Sequence, residues 1–446
     1  MSRTTRSEYR ERQQALIRQF RAAEAGVALL KPTSNLFRDR TKQSGAQLDV
    51  SGFTHVIAVK ADEGWVDIEG MTTYEVAVDE LLKEKVMPAV VPELKTITLG
   101  GAVSGVGIES SSFKFGLVHE TVLELDILTG TGEVVTATPE NKYRALFFAF
   151  PNSYGSLGYA LRVRIRTVPV MPYISLTHRR FKKLSAFFDA LGKAAATDIN
   201  FLDGSIFSAN ELILTTGKFS QEAPYVSSYT GNQIYYQSVR RRKEDYLTVH
   251  DYIWRWDTDW FWQSKIFGVQ QPFVRMLLPK RWLGSKQYTR LMRLNSRWGL
   301  TDTLQRWTNS ERESVIQDVD IPLSNAQAFL TFFHEEIGIL PIWVCPIRAA
   351  SMKQYPLYPV QPGELSVNFG FWSSVPRRGH KDGYYNRLIE QKVKKLGGIK
   401  SLYSSSYFPE QYFWKIYNKR AYEAVKAQYD PDHRFKGLYE KTVGRA

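Results

Sequence analysis

Over residues 6–25, Ala15, Ile17 and Phe20 recur in a stretch of Arg, Glu, Gln and Ala, which predicts a surface helix stopped by Gly26. Val27, Ala28, Leu29 and Leu30 then read as a short apolar strand. Two strand-like runs, HVIAVK and WVDIEG, lie between Asp49 and Gly70, broken by glycines. Thr72 or Thr73 caps a helix expected over 74–85, with Val76, Val78, Leu81 and Leu82 on its apolar face. Residues 86–91 read as a buried strand ended by Pro92, and a Gly/Ser-rich loop runs on to Gly116. TVLELDILTG and TGEVVTAT predict two strands about a tight turn. Further on, Leu161, Val163 and Ile165 alternate with Arg162, Arg164 and Arg166, the pattern of a strand with one solvated face. Pro169 and Pro172 mark a boundary. The division expected is therefore a first domain at 1–170, a second at 171–395 and a C-terminal segment at 396–446.

Composition narrows the class. Hydrophobic residues at 43% and charged residues at 23% belong to a folded chain of 446 residues. One cysteine, Cys345, excludes an internal disulfide framework and any multi-cysteine metal site, and reads as an inert buried thiol. His334-Glu335-Glu336 lacks the spacing of a zinc helix, so no metal is expected. No apolar run approaches the roughly 18–20 residues of a spanning helix, and the N-terminus has no signal-peptide core. The expected location is cytoplasmic, peripheral on the inner face of a membrane.

The net charge of +14 calls for an anionic partner. Seven of the 11 tryptophans, at 254, 256, 260, 262, 282, 298 and 307, fall within 238–308. The same segment holds 14 Lys/Arg against 6 Asp/Glu. It reads either as an aromatic core with a basic rim or as a surface that docks on anionic lipid headgroups. Nucleic-acid binding is set aside for want of a recognisable module.

The chemistry concentrates at Thr98-Leu-Gly-Gly-Ala-Val-Ser-Gly-Val-Gly-Ile-Glu-Ser-Ser-Ser112. Four glycines and three consecutive serines suit close approach to a pyrophosphate, although a plain surface loop would have the same composition. It is not a dinucleotide fingerprint of the strand–helix kind, since Ser110 stands at the third glycine position. Taken with S-Y-G-S-L-G-Y at 153–159, ILPIWVCPI at 339–347 and SLYSSSYFPEQYFW at 401–414, this stretch resembles the delta24-sterol-reductase-like branch of the vanillyl-alcohol-oxidase-type (PCMH-type) flavoprotein superfamily. RQFRAAEAGVALLKPTSNLFR at 18–38 and the aromatic-basic HDYIWRWDTDWFW at 250–262 extend the likeness over nearly the whole chain.

The resemblance implies an α+β architecture: a two-subdomain PCMH-type FAD-binding domain at 1–170, an α+β substrate (cap) domain at 171–395, and a C-terminal segment returning to the flavin. It implies non-covalent FAD, because Lys31–Asn35 holds neither His nor Cys. The residues carried over as cofactor-binding are Lys31, Pro32, Thr33, Ser34 and Asn35, then Thr98, Gly100, Gly101, Gly105, Gly107, Ile108, Ser110, Ser111, Ser112 and Gly116, with Gly155 and Gly158 near the flavin–adenine end. NADPH is the implied donor, and the implied reaction is hydride transfer from flavin to a carbon–carbon double bond of an apolar lipid. The animal members carry an N-terminal anchor; none is expected from the N-terminal residues here, so a methylene-branched or unsaturated fatty acyl chain joins a sterol side chain as implied substrate. An isolated alkene offers no carbonyl to polarise, which makes a positioned acid important. Tyr403, Tyr407, Glu410, Lys114, His119 and Glu120 are the candidates. The competing readings are an oxidase or dehydrogenase working in the opposite direction and a non-catalytic flavin-fold lipid binder.

Overall fold

The computed structural model describes residues 2–24, 26–31, 37–38, 45–229, 233–259, 262, 265, 268, 270–277, 279, 282–287, 289–290, 311–350 and 355–443. Two antiparallel sheets organise them in an α+β fold. The first runs Val56–Lys60, Trp65–Glu69, Tyr159–Pro169, Val122–Leu128, Val134–Ala137, with Val86–Pro88 paired to the far end of Tyr159–Pro169. Helix Tyr74–Leu82 starts where the Thr73 hydroxyl accepts from the Val76 N–H, and it buries Tyr74, Ala77, Val78 and Leu81 against this sheet. The parallel pair Val27–Leu30 and Ala46–Asp49 packs with helix Arg6–Ala22, whose Leu16 and Phe20 share a small core with Leu48, Leu161 and Phe435.

The second sheet has eight strands, in the order Glu244–Thr248, Tyr173–Phe181, Glu211–Ser220, Phe201–Ser208, Ile342–Arg348, Leu365–Pro376, Arg312–Pro322, Ile399–Lys400. Helices Leu184–Ala194, Leu323–Glu336 and Tyr384–Lys395 cover one face. Strand alternation divides the side chains between two cores. Ile342 and Val344 join Val319 and Phe369 under the helices. Trp343, Cys345 and Ile347 point the other way, into a core shared with Val163 and Leu125 of the first sheet. The chain passes between the sheets from Pro169 to Tyr173, and residues 410–443 return to the first. Gly130 N–H donates to Tyr429 O at 2.7 Å, and Arg434 reaches Ala23 O at 2.7 Å.

Three local expectations change, and one open choice is decided. The Gly/Ser stretch is not all loop: Thr98 caps a helix at Leu99–Gly105 by accepting from Gly101 N–H. The strand expected over 86–91 is only Val86–Pro88. Of the three arginines on strand Tyr159–Pro169 only Arg166 is exposed, and Arg162 is 0% exposed. Its guanidinium meets Asp67 at 2.6 Å and Asp126 at 2.7 Å and also contacts Glu124, so paired carboxylates replace water. In the Trp-rich segment the aromatic-core reading holds for Trp254, Trp256 and Trp262, which are buried. Trp282 is 55% exposed, and Trp260, Trp298 and Trp307 lie outside the described residues.

Candidate active site between the two sheets

A strained loop lies at the first sheet. Asn152, Tyr154, Gly155 and Gly158 have φ of 62°, 49°, 74° and 139°, two of them at non-glycine positions, where a left-handed backbone persists only if its surroundings enforce it. The surroundings are specific. Asn152 Nδ2 donates to Leu357 O at 2.6 Å, and Tyr154 N–H donates to Ser104 O at 3.0 Å. The Tyr154 hydroxyl donates to Gly105 O at 3.0 Å, which ties the loop to the Gly-rich helix. Lys441, on the C-terminal helix, donates to Gly155 O at 2.8 Å and to Tyr154 O at 3.3 Å.

Lys441 is held down to about 7 by burial first, then by the like charges of Arg38, Lys426, Lys31 and Lys436. Asp430 is taken up by Lys426. Glu440 also acts on Lys426, and the cations that depress Lys441 gather beside a strained, carbonyl-lined loop. Nearby, the Asn152 Oδ1 and the Ser153, Ser404 and Ser406 hydroxyls are buried with no hydrogen-bond partner among the described residues. Both features fit a polar ligand carrying a diphosphate, as FAD does.

The Gly/Ser residues divide by environment. Gly101 is exposed; a Cβ there would meet only Thr98, and at Gly105 it would touch the Tyr154 ring at 3.4 Å. Gly100 donates to Gly70 O at 2.8 Å and allows that close approach, since a Cβ would stand 2.9 Å from the same oxygen. Gly107 sits beneath Val118 and Pro92, Gly116 abuts Glu120, and Ile108 packs half-buried on the shared core. The serine hydroxyls are engaged inside the protein. Ser110 pairs with the Tyr252 hydroxyl at 2.9 Å, Ser111 donates to Ala89 O at 2.8 Å, and Ser112 accepts from Glu109 N–H at 3.1 Å. Leu202 N–H also donates to Ser110 O at 2.8 Å, so this run straps the second sheet to the first. Lys31 is exposed; Pro32, Thr33, Ser34 and Asn35 lie outside the described residues.

Across from the loop, strand alternation brings Asp318 and Asp320 to the face of the second sheet opposite its helices. Asp320 is buried and accepts from Tyr358 Oη at 2.6 Å and from Asn368 Nδ2 at 2.7 Å. Asp318 is hydrogen-bonded to the Tyr403 hydroxyl, which also accepts from Trp372 Nε1 at 2.8 Å. Burial pushes Asp318 up to about 7, helped by the charge of Asp320, which burial in turn raises to about 6. Burial also holds the Tyr403 phenol well above its ordinary value.

Residues 37–38 join the two regions. Phe37 packs edge-on against Tyr403 at 5.9 Å. Arg38 donates to Leu402 O at 3.0 Å and lies over the Tyr154 ring at 5.2 Å.

The other candidate acids stand elsewhere. Tyr407 lies by helix Tyr384–Lys395, its N–H on Glu390 at 3.1 Å and its ring under Arg387. Glu410 is exposed at the start of Glu410–Ile416, and Lys114 pairs with Asp198 at 3.2 Å. Glu120 accepts from the Leu117 and Ala350 N–H groups. His119 is buried against Tyr355, and desolvation pulls it down to about 3, so it is neutral at physiological pH. Sequence reasoning passed over Asp318, Asp320, Trp372 and Arg38. The signal available was two carboxylates at i and i+2 within the strand-like run VIQDVDI.

Residues 6–138 match the FAD_binding_4 family model, an FAD binding domain. The Delta(24)-sterol reductase of Homo sapiens is 27% identical over 384 residues, covering 80% of this chain and 70% of that protein. The Delta(24)-sterol reductase of Arabidopsis thaliana is 24% identical over 442 residues, covering 89% and 76%. Cytokinin dehydrogenase 10 of Oryza sativa is 28% identical over 203 residues, covering 41% and 37%. The chain is an FAD-dependent oxidoreductase similar to the Delta(24)-sterol reductases, with its FAD-binding domain at residues 6–138.

Proposed function

We propose that this protein reduces a carbon–carbon double bond of an apolar lipid, a sterol side chain or a methylene-branched or unsaturated fatty acyl chain, with NADPH as electron donor. The relatives named Delta(24)-sterol reductase support the reaction class. The observation that carries it is the Tyr403 hydroxyl, held by Trp372 and Asp318. When bound, FAD supplies the hydride, and alkene reduction then needs one proton at the neighbouring carbon. Tyr403 donates that proton, and Asp318, which still holds a proton near neutral pH, replaces it. Lys441, Arg38 and the loop at 152–158 hold the cofactor's diphosphate side. The buried rings of Trp343 and Trp262, packed against Trp372, keep water from the alkene.

We also assign the membrane-facing surface to helix Pro272–Leu277 and Trp282. Phe273, Met276 and Leu277 are 68%, 63% and 65% exposed, in the segment with the basic surplus. Among the described residues, no helix is long and apolar enough to cross a membrane.

The test is the anaerobic visible spectrum before and after NADPH, followed by addition of lipid alkene. Bleaching by NADPH and recovery with the alkene support the proposal. A flavin band that NADPH leaves unchanged, but that a saturated lipid or lipid alcohol bleaches, overturns it in favour of the oxidative direction.

A further inference from the structure

A cleft of about 680 Å³ opens where Tyr173–Phe181, Phe201–Ser208, Glu211–Ser220 and Ile342–Arg348 share one end of the second sheet, away from the loop at 152–158. Its lining includes four cations, Arg180, Arg240, Arg241 and Lys265, against one carboxylate, Glu211. That carboxylate is committed: Arg240 binds it with both ends of its fork, Nε to Oε1 at 2.9 Å and Nη2 to Oε2 at 2.7 Å. Arg180 donates to the Arg240 carbonyl, which fixes one side of its guanidinium and leaves its remaining N–H groups for other acceptors. Among the described residues, neither Arg241 nor Lys265 has an acidic partner. The cleft therefore carries about three unneutralised positive charges, more than a solvated rim gathers without mutual repulsion.

The floor is apolar and flat. Phe207 and Tyr236 lie nearly parallel, 16° apart with centroids at 6.3 Å, and Arg240 covers Phe207 at 4.9 Å. The Gln237 and Gln270 amides stand at its side. From this floor a row of ring contacts runs inward: Tyr236 to Trp262 at 5.9 Å, Trp262 to Trp372 at 5.6 Å, and the Trp372 N–H to the Tyr403 oxygen. Cations above a flat apolar floor suit an organic anion better than a free inorganic one. Forked guanidiniums suit the tetrahedral oxygens of phosphate.

We infer that this cleft is a binding site for the phosphate ester of an amphiphilic or aromatic organic ligand, with Arg241, Lys265 and Arg180 holding the phosphate over the Tyr236–Phe207 floor. The inference deepens the reading above, in which two such ligands occur: an acyl substrate with a phosphate head group, and the phosphorylated nucleotide donor. The site itself is assigned on charge and geometry alone.

Equilibrium binding to the FAD-loaded protein tests it, with three probes: dihexanoyl phosphatidic acid, NADPH, and NADH as the analogue lacking the extra phosphate. The comparison is wild type against the exposed double variant Arg241→Gln/Lys265→Gln, with flavin content as the folding control. Loss of two charge-assisted contacts should weaken the phosphate-bearing probe by about tenfold or more. Weakening of the phosphatidic acid alone identifies a lipid head group; weakening of NADPH with NADH unchanged identifies the nucleotide. Unaltered affinity of both phosphate probes in the variant, or no saturable binding of either to the wild type, overturns the site. The readout is binding, so a protein that binds a probe here yet reduces no alkene refutes the proposed reaction and leaves the site standing.

Discussion

The phenolic oxygen of Tyr403 accepts from the Trp372 indole N–H at 2.8 Å and shares a hydrogen bond with Asp318, whose carboxyl burial lifts to about 7. Two positions 85 residues apart, 318 and 403, thus form one proton-donating unit. Tyr403→Phe removes the transferable proton and keeps the ring. Reoxidation of reduced flavin by the lipid alkene should slow by about 10²–10⁴-fold, while flavin content and bleaching by NADPH stay unchanged. Stopped-flow absorbance reads both steps, and equal reoxidation rates would remove Tyr403 from the reaction.

The same pair sets a pH dependence. The acid form of Asp318 is required, so reoxidation should fall as pH rises through about 7, and Asp318→Asn should flatten that limb. Stability follows the same sign. Folding raises this carboxyl from 3.8, so the folded state binds its proton more tightly than the unfolded chain does. Its contribution is fully present below about 4 and is lost as pH rises to about 7. Thermal melts should show Asp318→Asn gaining on the wild type between pH 5 and pH 8; a constant difference would mean that Asp318 titrates normally.

Lys441 gives a second test, on the cofactor side. Burial and its cationic neighbours hold it near 7, and a diphosphate placed among them would raise it. Binding should therefore take up a proton, and FAD affinity should fall as pH rises from about 7. Lys441→Met should lose both the proton uptake, read by calorimetry in buffers of different ionisation enthalpy, and most FAD retention on gel filtration. Gly105→Glu, which sets a carboxylate beside Tyr154 and this cluster, should also elute without its yellow colour.

How far the sequence showed this arrangement depends on range. Short-range patterns read correctly: the Thr73 cap, the strand at Val27–Leu30 and the pair Val122–Leu128 with Val134–Ala137 follow from spacing within a few residues. Arg162 was misread because alternation reports only which face a side chain takes. Whether that face meets water depends on Asp67 and Asp126, brought in by register from 95 and 36 residues away. Thr98–Ser112 drew attention as a phosphate cradle. Within it Ser110, Ser111 and Ser112 bond to Tyr252, Ala89 and Glu109, partners that composition cannot show.

Arg162 also predicts a stability effect. It is fully buried with Asp67 and Asp126, and Tyr9 Oη adds a bond to Asp126 at 2.8 Å. Asp67 keeps Arg164 and Arg6, but removing the guanidinium leaves the buried Asp126 carboxylate with hydroxyl partners alone, a loss of about 3–5 kcal/mol. Arg162→Met should lower the urea midpoint accordingly. Arg166→Met, on the exposed positions of the same strand, should change it by less than about 0.5 kcal/mol. Equal midpoints would show that the network contributes no net stability.

The last prediction separates core tryptophans from surface apolar residues in the segment that sequence alone read as one. Trp262 is 5% exposed and packs on Trp256, Trp372 and Tyr236, so Trp262→Ala should cost about 3–5 kcal/mol of stability. Phe273 and Leu277 are 68% and 65% exposed on a short helix, so replacing both with Glu should leave the melting temperature unchanged. The same double variant should lose sedimentation with phosphatidylglycerol vesicles, because two apolar contacts go and two like charges face an anionic surface. Both charge and insertion are required by this account. Wild-type binding should therefore weaken steeply between 50 mM and 500 mM salt and also weaken on vesicles of neutral lipid. If the double variant sediments as the wild type does, the docking surface lies elsewhere on the protein.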